Sequence, residues 1–224
     1  MTEQFNELAI ICLNICAYVL GGLIIKYTRI KFLNALILAV IFVVSVLSIF
    51  KIDYEVYKKG SELISFLLGP SVVALGYMLH KQVALIKRSL IPILVSIFVG
   101  AITNIAMVKL CFSFFDVDSS IVSSILPKSV TTPIAIQLSE QLNGIISLTA
   151  IVTVFTGILG SIIGPPLLKL CNITSPIARG LALGTSAHGV GTAKAIELGV
   201  KEGAIAGLAI GLMGIITSFL LGSY

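Results

Sequence analysis

Two apolar segments of this chain, 115 positions apart, are interrupted by the same short pattern. Leu68-Gly69-Pro70-Ser71-Val72-Val73-Ala74-Leu75-Gly76-Tyr77 and Leu183-Gly184-Thr185-Ser186-Ala187-His188-Gly189-Val190-Gly191-Thr192 both read L-G-x-S-x-x-x-x-G. In hydrocarbon an interrupted helix bares N–H and C=O groups that lipid cannot satisfy, so it survives only against protein or a polar cavity. A matched pair of Gly/Pro-broken apolar segments in the two halves of a chain points to the binding site of a secondary transporter. Transport is therefore the function this feature favours.

Such breaks carry this meaning only in a membrane, and composition supplies one. Hydrophobic residues make up 57% of the chain and charged residues 11%, against about 25% charged in a typical soluble domain. At ~20 residues per span, the length accommodates about seven or eight hydrophobic segments. The expected fold is an all-α polytopic membrane protein, multi-pass in the cytoplasmic membrane. The net charge of +5 comes from Lys and Arg spread through the loops, which positive-inside topology explains without nucleic acid. Glu3 and Glu7 precede the first apolar run, with no basic leader and no A-x-A-like site after it, so no cleaved signal peptide is expected. Cys12, Cys16, Cys111 and Cys171 lack metal-ligand spacing and read as small apolar residues.

Along the chain, Leu8 to Lys26 and Leu33 to Phe50 read as the first two membrane helices, and 51–62 as a short polar loop. Leu63 to His80 reads as a third helix, broken at Gly69-Pro70-Ser71, because proline removes a donor and disfavours helix at the preceding residue. Ser89 to Phe112 is the fourth and contains the polar Asn104. Residues 119–143 hold no continuous span. They read as a re-entrant hairpin or two half-helices meeting at Pro127-Lys128-Ser129-Val130-Thr131-Thr132-Pro133. Ile145 to Leu170 is a clear span, Ile177 to Leu198 the second discontinuous helix, and Glu202 to Leu221 the last span.

At the offset of 115 the four early segments map onto the four later ones, so residues 1–115 and 116–224 read as duplicated four-segment halves of one membrane domain. Placing Lys26, Arg29, Lys31, Lys81, Lys87, Arg88, Lys169 and Arg179 inside puts the N-terminus outside and makes the halves an inverted repeat. Gly157/Gly160/Gly164 and Gly207/Gly211/Gly214 form small-residue stripes. Such stripes let helices approach closely; helix packing is the main reading of the first, and at least one of the two is expected to pack between the subunits of a homodimer or against a static scaffold.

Several residues are candidates for chemistry. His188 is either a proton relay or substrate partner, as an imidazole at membrane depth suggests, or a neutral histidine donating to a freed carbonyl. Gly69, Pro70, Ser71, Gly184, Thr185, Ser186, Gly189 and Thr192 offer hydroxyls and bare N–H groups at half-helix starts, where the helix dipole favours a small carboxylate; alternatively the hydroxyls only satisfy broken backbone. Lys128, Ser129, Thr131, Thr132 and Pro133 form a third polar cluster, in which Lys128 either supplies positive charge to a carboxylate or snorkels to the interface. Lys194 and Glu197 lie three apart on one helical face and can pair. There is no G-x-S-x-G, H-E-x-x-H or Walker loop, so no catalysis, metal or cofactor is expected.

The stretches LLGPSVVALGYMLHKQ, LPKSVTTPIAIQLSEQLNG, TGILGSIIGPPLLKL and ARGLALGTSAHGVGTAKAIELG resemble the LrgB/CidB family of bacterial membrane proteins, whose plant relatives include the plastidal glycolate/glycerate transporter. The resemblance covers nearly the whole chain. It implies two functions. One is movement of small monocarboxylates such as pyruvate or glycolate, which the broken segments favour and which His188 would couple to protons. The other is an antiholin-like role, tuning murein hydrolase activity and lysis together with a small LrgA/CidA-type membrane protein.

Overall fold

The structure, a computed structural model, describes residues 2–28 and 35–222. The expected loop residues Arg29 and Lys31 and the start of the second segment at Leu33 lie outside the described residues. Every described element is helical: α1 (Thr2–Thr28), α2 (Ala35–Ile49), α3 (Tyr54–Gly60), α4 (Glu62–Phe66), α5 (Leu68–Lys81), α6 (Val83–Arg88), α7 (Leu90–Ser113), α8 (Ser119–Ile125), α9 (Thr132–Gln141), α10 (Ile146–Leu170), α11 (Pro176–Leu198) and α12 (Val200–Leu221). They form two compact units, Met1–Ala74 and Leu75–Tyr224.

Among the described residues four helices are long and apolar enough to cross a membrane: Glu7–Thr28 within α1, then α7, α10 and α12. The sequence suggested about seven or eight segments. The shortfall has local causes. Apolar α2 is described over 15 residues only, the 54–88 region is cut into short helices, and α8 and α9 are too short to span. The last candidate, α11, carries Arg179, Lys194 and Glu197.

In the first unit α1 and α2 meet through Ala17, Ala39 and Val43, with Tyr57 of α3 against them. The Tyr57 hydroxyl donates to Asn14 Oδ1 at 2.8 Å, so the polar residue of α1 is paired rather than bare. Gly69-Pro70-Ser71 does not break a span here. The backbone is helical from Leu68 to Lys81, and the interruption is the single residue Leu67 between α4 and α5. Pro70 is the third residue of α5, where its missing N–H would have no intrahelical partner in any case. Pro70 is exposed; the side chain of Ser71 and the surroundings of Gly69 lie outside the described residues.

The second unit has α7 and α12 at its core. Ile93, Ile97 and Ala101 meet Ile205, Ala209 and Met213, together with Leu181 of α11 and Leu126, Val130, Ala135 and Leu138 of the α8–α9 region. The outer surface is as apolar as this interior: Ile151, Phe155, Ile215 and Phe219 are all more than half exposed. A soluble fold does not leave so much apolar surface open, whereas a lipid-facing one must.

The α8–α9 region is a stitched hairpin. Asp118 caps α8 by accepting from Ser120 N at 2.8 Å, and that backbone hydrogen bond, with the Ser120 hydroxyl, holds its carboxyl below the usual carboxylate range. The Ser124 hydroxyl accepts the Ile145 N–H at 2.7 Å while donating to the Ser120 carbonyl. Thr149 Oγ1 donates to Ser139 Oγ at 2.6 Å. These hydroxyls clip the end of α9 and the start of α10 back onto α8.

Candidate functional site

α11 doubles back on itself. Ala187 (φ −128, ψ 15) and His188 (φ 38, ψ −127) leave helical geometry. A Cβ on Gly191 would collide with the Leu183 carbonyl, although eight residues of unbroken helix would hold the two about 12 Å apart. The neighbours confirm the reversal. Gly180 meets Glu202 and Ile205, and Gly184 meets Ala206 and Ala209, so the first arm runs alongside α12 in the same direction; Ile196 of the second arm meets Gly203 at the start of α12, in the opposite sense. α11 is therefore two arms, Pro176–Ser186 and Gly189–Leu198, joined at a sharp tip.

The tip lies one turn later than the sequence suggested. Thr185 Oγ1 donates to the Leu181 carbonyl at 2.7 Å and Ser186 Oγ to the Ala182 carbonyl at 2.6 Å. Both hydroxyls thus bond back into their own helix and carry it through Leu183-Gly184-Thr185-Ser186. Gly184 is buried against α12 and Ser186 is exposed. Residues 184–186 end the first arm; Gly189, open to its surroundings, starts the second.

The glycines of α10 make room for the tip. A Cβ on Gly157 would lie 2.6 Å from His188 Cε1, and one on Gly160 would lie 2.5 Å from Ala187 Cβ. His188 is 5% exposed, and its Nε2 lies 2.9 Å from the Thr153 carbonyl. Thr153, Gly157 and Gly160 are the middle of α10, so the tip is level with the centre of a candidate span. Two hydroxyls at this level, Thr153 Oγ1 and Thr192 Oγ1, are buried and make no hydrogen bond.

The second polar cluster sits on α7. Lys128 Nζ and Ser129 Oγ both donate to Asn104 Oδ1, the latter at 3.0 Å, while Asn104 Nδ2 faces the Leu126 carbonyl at 3.4 Å. Ser129 is buried and Lys128 half-buried. Thr131 is the N-cap of α9 but its side chain makes no capping bond, and Thr132 and Pro133 form the first turn; Pro133 is exposed. Asn104 too is near the middle of its helix.

α7 brings the two clusters close. Thr185 approaches Gly100, where a Cβ would meet Thr185 Cβ at 3.9 Å, and Gly100 is one turn from Asn104. A cleft of about 430 Å³ runs between α7 and the first arm, lined by Ser89, Pro92 and Ser96 on one side and Ser175, Ala178, Ala182 and Thr185 on the other. It leads from the N-caps of both helices to the level of Thr185.

Lys194 and Glu197 pair at 2.6 Å on an exposed face. The four cysteines are free and exposed, and among the described residues no group of His, Cys, Asp or Glu could hold a metal. Sequence reasoning saw Asn104 only as a polar residue in an apolar helix and missed Thr153 altogether; its one available signal was a hydroxyl inside an apolar span. The stripe of Gly157, Gly160 and Gly164, which the sequence marks chiefly as a helix-packing face, packs against α11 within the chain.

No solved structure matches the chain. The protein YxaC of Bacillus subtilis (strain 168) is 36% identical over 98% of this chain and 95% of its own length. Proteins named antiholin-like protein LrgB from Bacillus mycoides (strain KBAB4) and Bacillus cereus (strain B4264) are each 34% identical over 97% of this chain and 93% of their own length. The profile of the LrgB-like family matches residues 14–223, and the chain belongs to that family of membrane proteins.

Proposed function

We propose that the protein is an antiholin-like component of the bacterial cytoplasmic membrane, restraining murein hydrolase activity and lysis together with a small LrgA/CidA-type membrane protein. The observation that carries this reading is near full-length kinship with proteins named antiholin-like protein LrgB. In it the protein catalyses no reaction and holds no cofactor. On this reading it acts as a homodimer. The test is lysis in a strain lacking the gene. Restoring the gene should lower extracellular murein hydrolase activity and autolysis; unchanged autolysis would remove the antiholin-like reading.

A second reading, passage of a small monocarboxylate such as pyruvate or glycolate, is favoured by one feature of the fold. A helix that turns back at the centre of a span has no use in a simple lysis regulator, whereas broken helices at mid-membrane are how transporters build substrate sites. On this reading the cleft beside Thr185 is the access route and His188 carries the coupled proton. Uptake of labelled pyruvate or glycolate into proteoliposomes, with and without a proton gradient, tests it. Uptake equal to that of protein-free vesicles removes it.

A further inference from the structure

The tip between α8 and α9 places an ammonium group where nothing balances it. Lys128 contacts Asn104, near the centre of the 24-residue α7, and among the described residues no carboxylate pairs with it. Asn104 Oδ1 is also occupied by Ser129, so among the described residues two of the three N–H donors of the ammonium are left without an acceptor. The uncapped start of α9, three residues on, adds a partial positive charge of the same sign.

Snorkelling does not resolve this. Pro127, Ser129 and Val130 flank Lys128 and are all buried, so the backbone of the turn is fixed. A lysine side chain reaches about 6 Å, while the middle of a ~30 Å hydrocarbon core is about 15 Å from either interface. A charged group held at such depth is paired or serves a ligand, and the partner missing here is an anion.

We propose that Lys128, with Ser129, Asn104 and the first turn of α9, is the binding site of a small carboxylate anion. Asn104 holds the ammonium in place, and the two spare donors match the two oxygens of one carboxylate. The site deepens the monocarboxylate reading and rests on it for what happens after binding, though not for binding itself.

The test uses the full-length protein in lipid nanodiscs, titrated calorimetrically with acetate and pyruvate at constant ionic strength set by chloride. Saturable binding to the unaltered protein is expected, weakened about 30-fold or more in Lys128→Met, as for loss of one partner of a buried charge pair, and largely kept in Lys128→Arg. Without anion, Lys128→Met should melt no lower than the unaltered protein, because it removes an unbalanced charge. Equal affinity in Lys128→Met, a lowered anion-free melting temperature in that variant, or binding that chloride alone satisfies would each overturn the proposal. Proteoliposome uptake separates the two ideas. Lysine-dependent binding without uptake keeps the site and removes transport; uptake unchanged in Lys128→Met keeps transport and removes the site.

Discussion

His188 Nε2 and the carbonyl of Thr153, 2.9 Å apart, join the tip of α11 to the middle of α10. A carbonyl only accepts, so Nε2 carries the hydrogen and the ring is held as a donor. The backbone beneath it has φ 38 and ψ −127, a region that glycine occupies freely and other residues only with strain. Replacing His188 by Ala or by Gly removes the same hydrogen bond, but only Ala keeps the strain. The Gly variant should be the more stable of the two by about 1 kcal/mol or more, read as a higher melting temperature in mild detergent. Equal melting would mean that the tip relaxes and the reversal at His188 is not fixed by its neighbours.

Glycines that look alike in the sequence should behave oppositely. Gly157→Ala sets a methyl group 2.6 Å from His188 Cε1 and should destabilise by about 1–3 kcal/mol, as overpacking does. Gly211→Ala meets nothing within 4 Å and should be neutral, or stabilising by up to about 1 kcal/mol through helix propensity. Thermal unfolding of the two variants checks the pair; a Gly157→Ala protein as stable as Gly211→Ala would contradict the seating of the tip on α10.

The buried hydroxyls of Thr153 and Thr192 have no partner. An unsatisfied buried hydroxyl is destabilising by about 1–3 kcal/mol, and valine has nearly the same shape. Thr153→Val and Thr192→Val should therefore melt at or above the temperature of the unaltered protein. A fall of several degrees for either would show that a bound molecule satisfies that hydroxyl.

Much of this was legible in the sequence, because apolar length is read directly. The Ile145 to Leu170 and Glu202 to Leu221 segments fall within a residue or two of α10 and α12, and Ser89 to Phe112 within one of α7. The polar 119–143 stretch correctly stood out as unable to span. The position of the break in α11 was not legible. Its signal residues, Gly184-Thr185-Ser186, stay helical through hydroxyl-to-carbonyl bonds to the preceding turn, and the reversal falls on a histidine whose positive φ no propensity announces. Pro70 misled for a related reason: in the first turn a proline begins a helix as readily as it ends one. The Lys128–Asn104 contact joins residues 24 apart, and only the fold brings them together.

The doubled-back α11 enters and leaves from the same side, so that its ends do not straddle the membrane. With Cys12, Cys16, Cys111 and Cys171 replaced by serine or alanine, single cysteines at Ser175 and at Lys201, both exposed, can be tested in oriented vesicles with a membrane-impermeant maleimide. The doubled-back helix predicts that both positions label from one and the same side. Labelling of residue 175 from one side and residue 201 from the other would mean that α11 crosses the membrane, and would contradict the account.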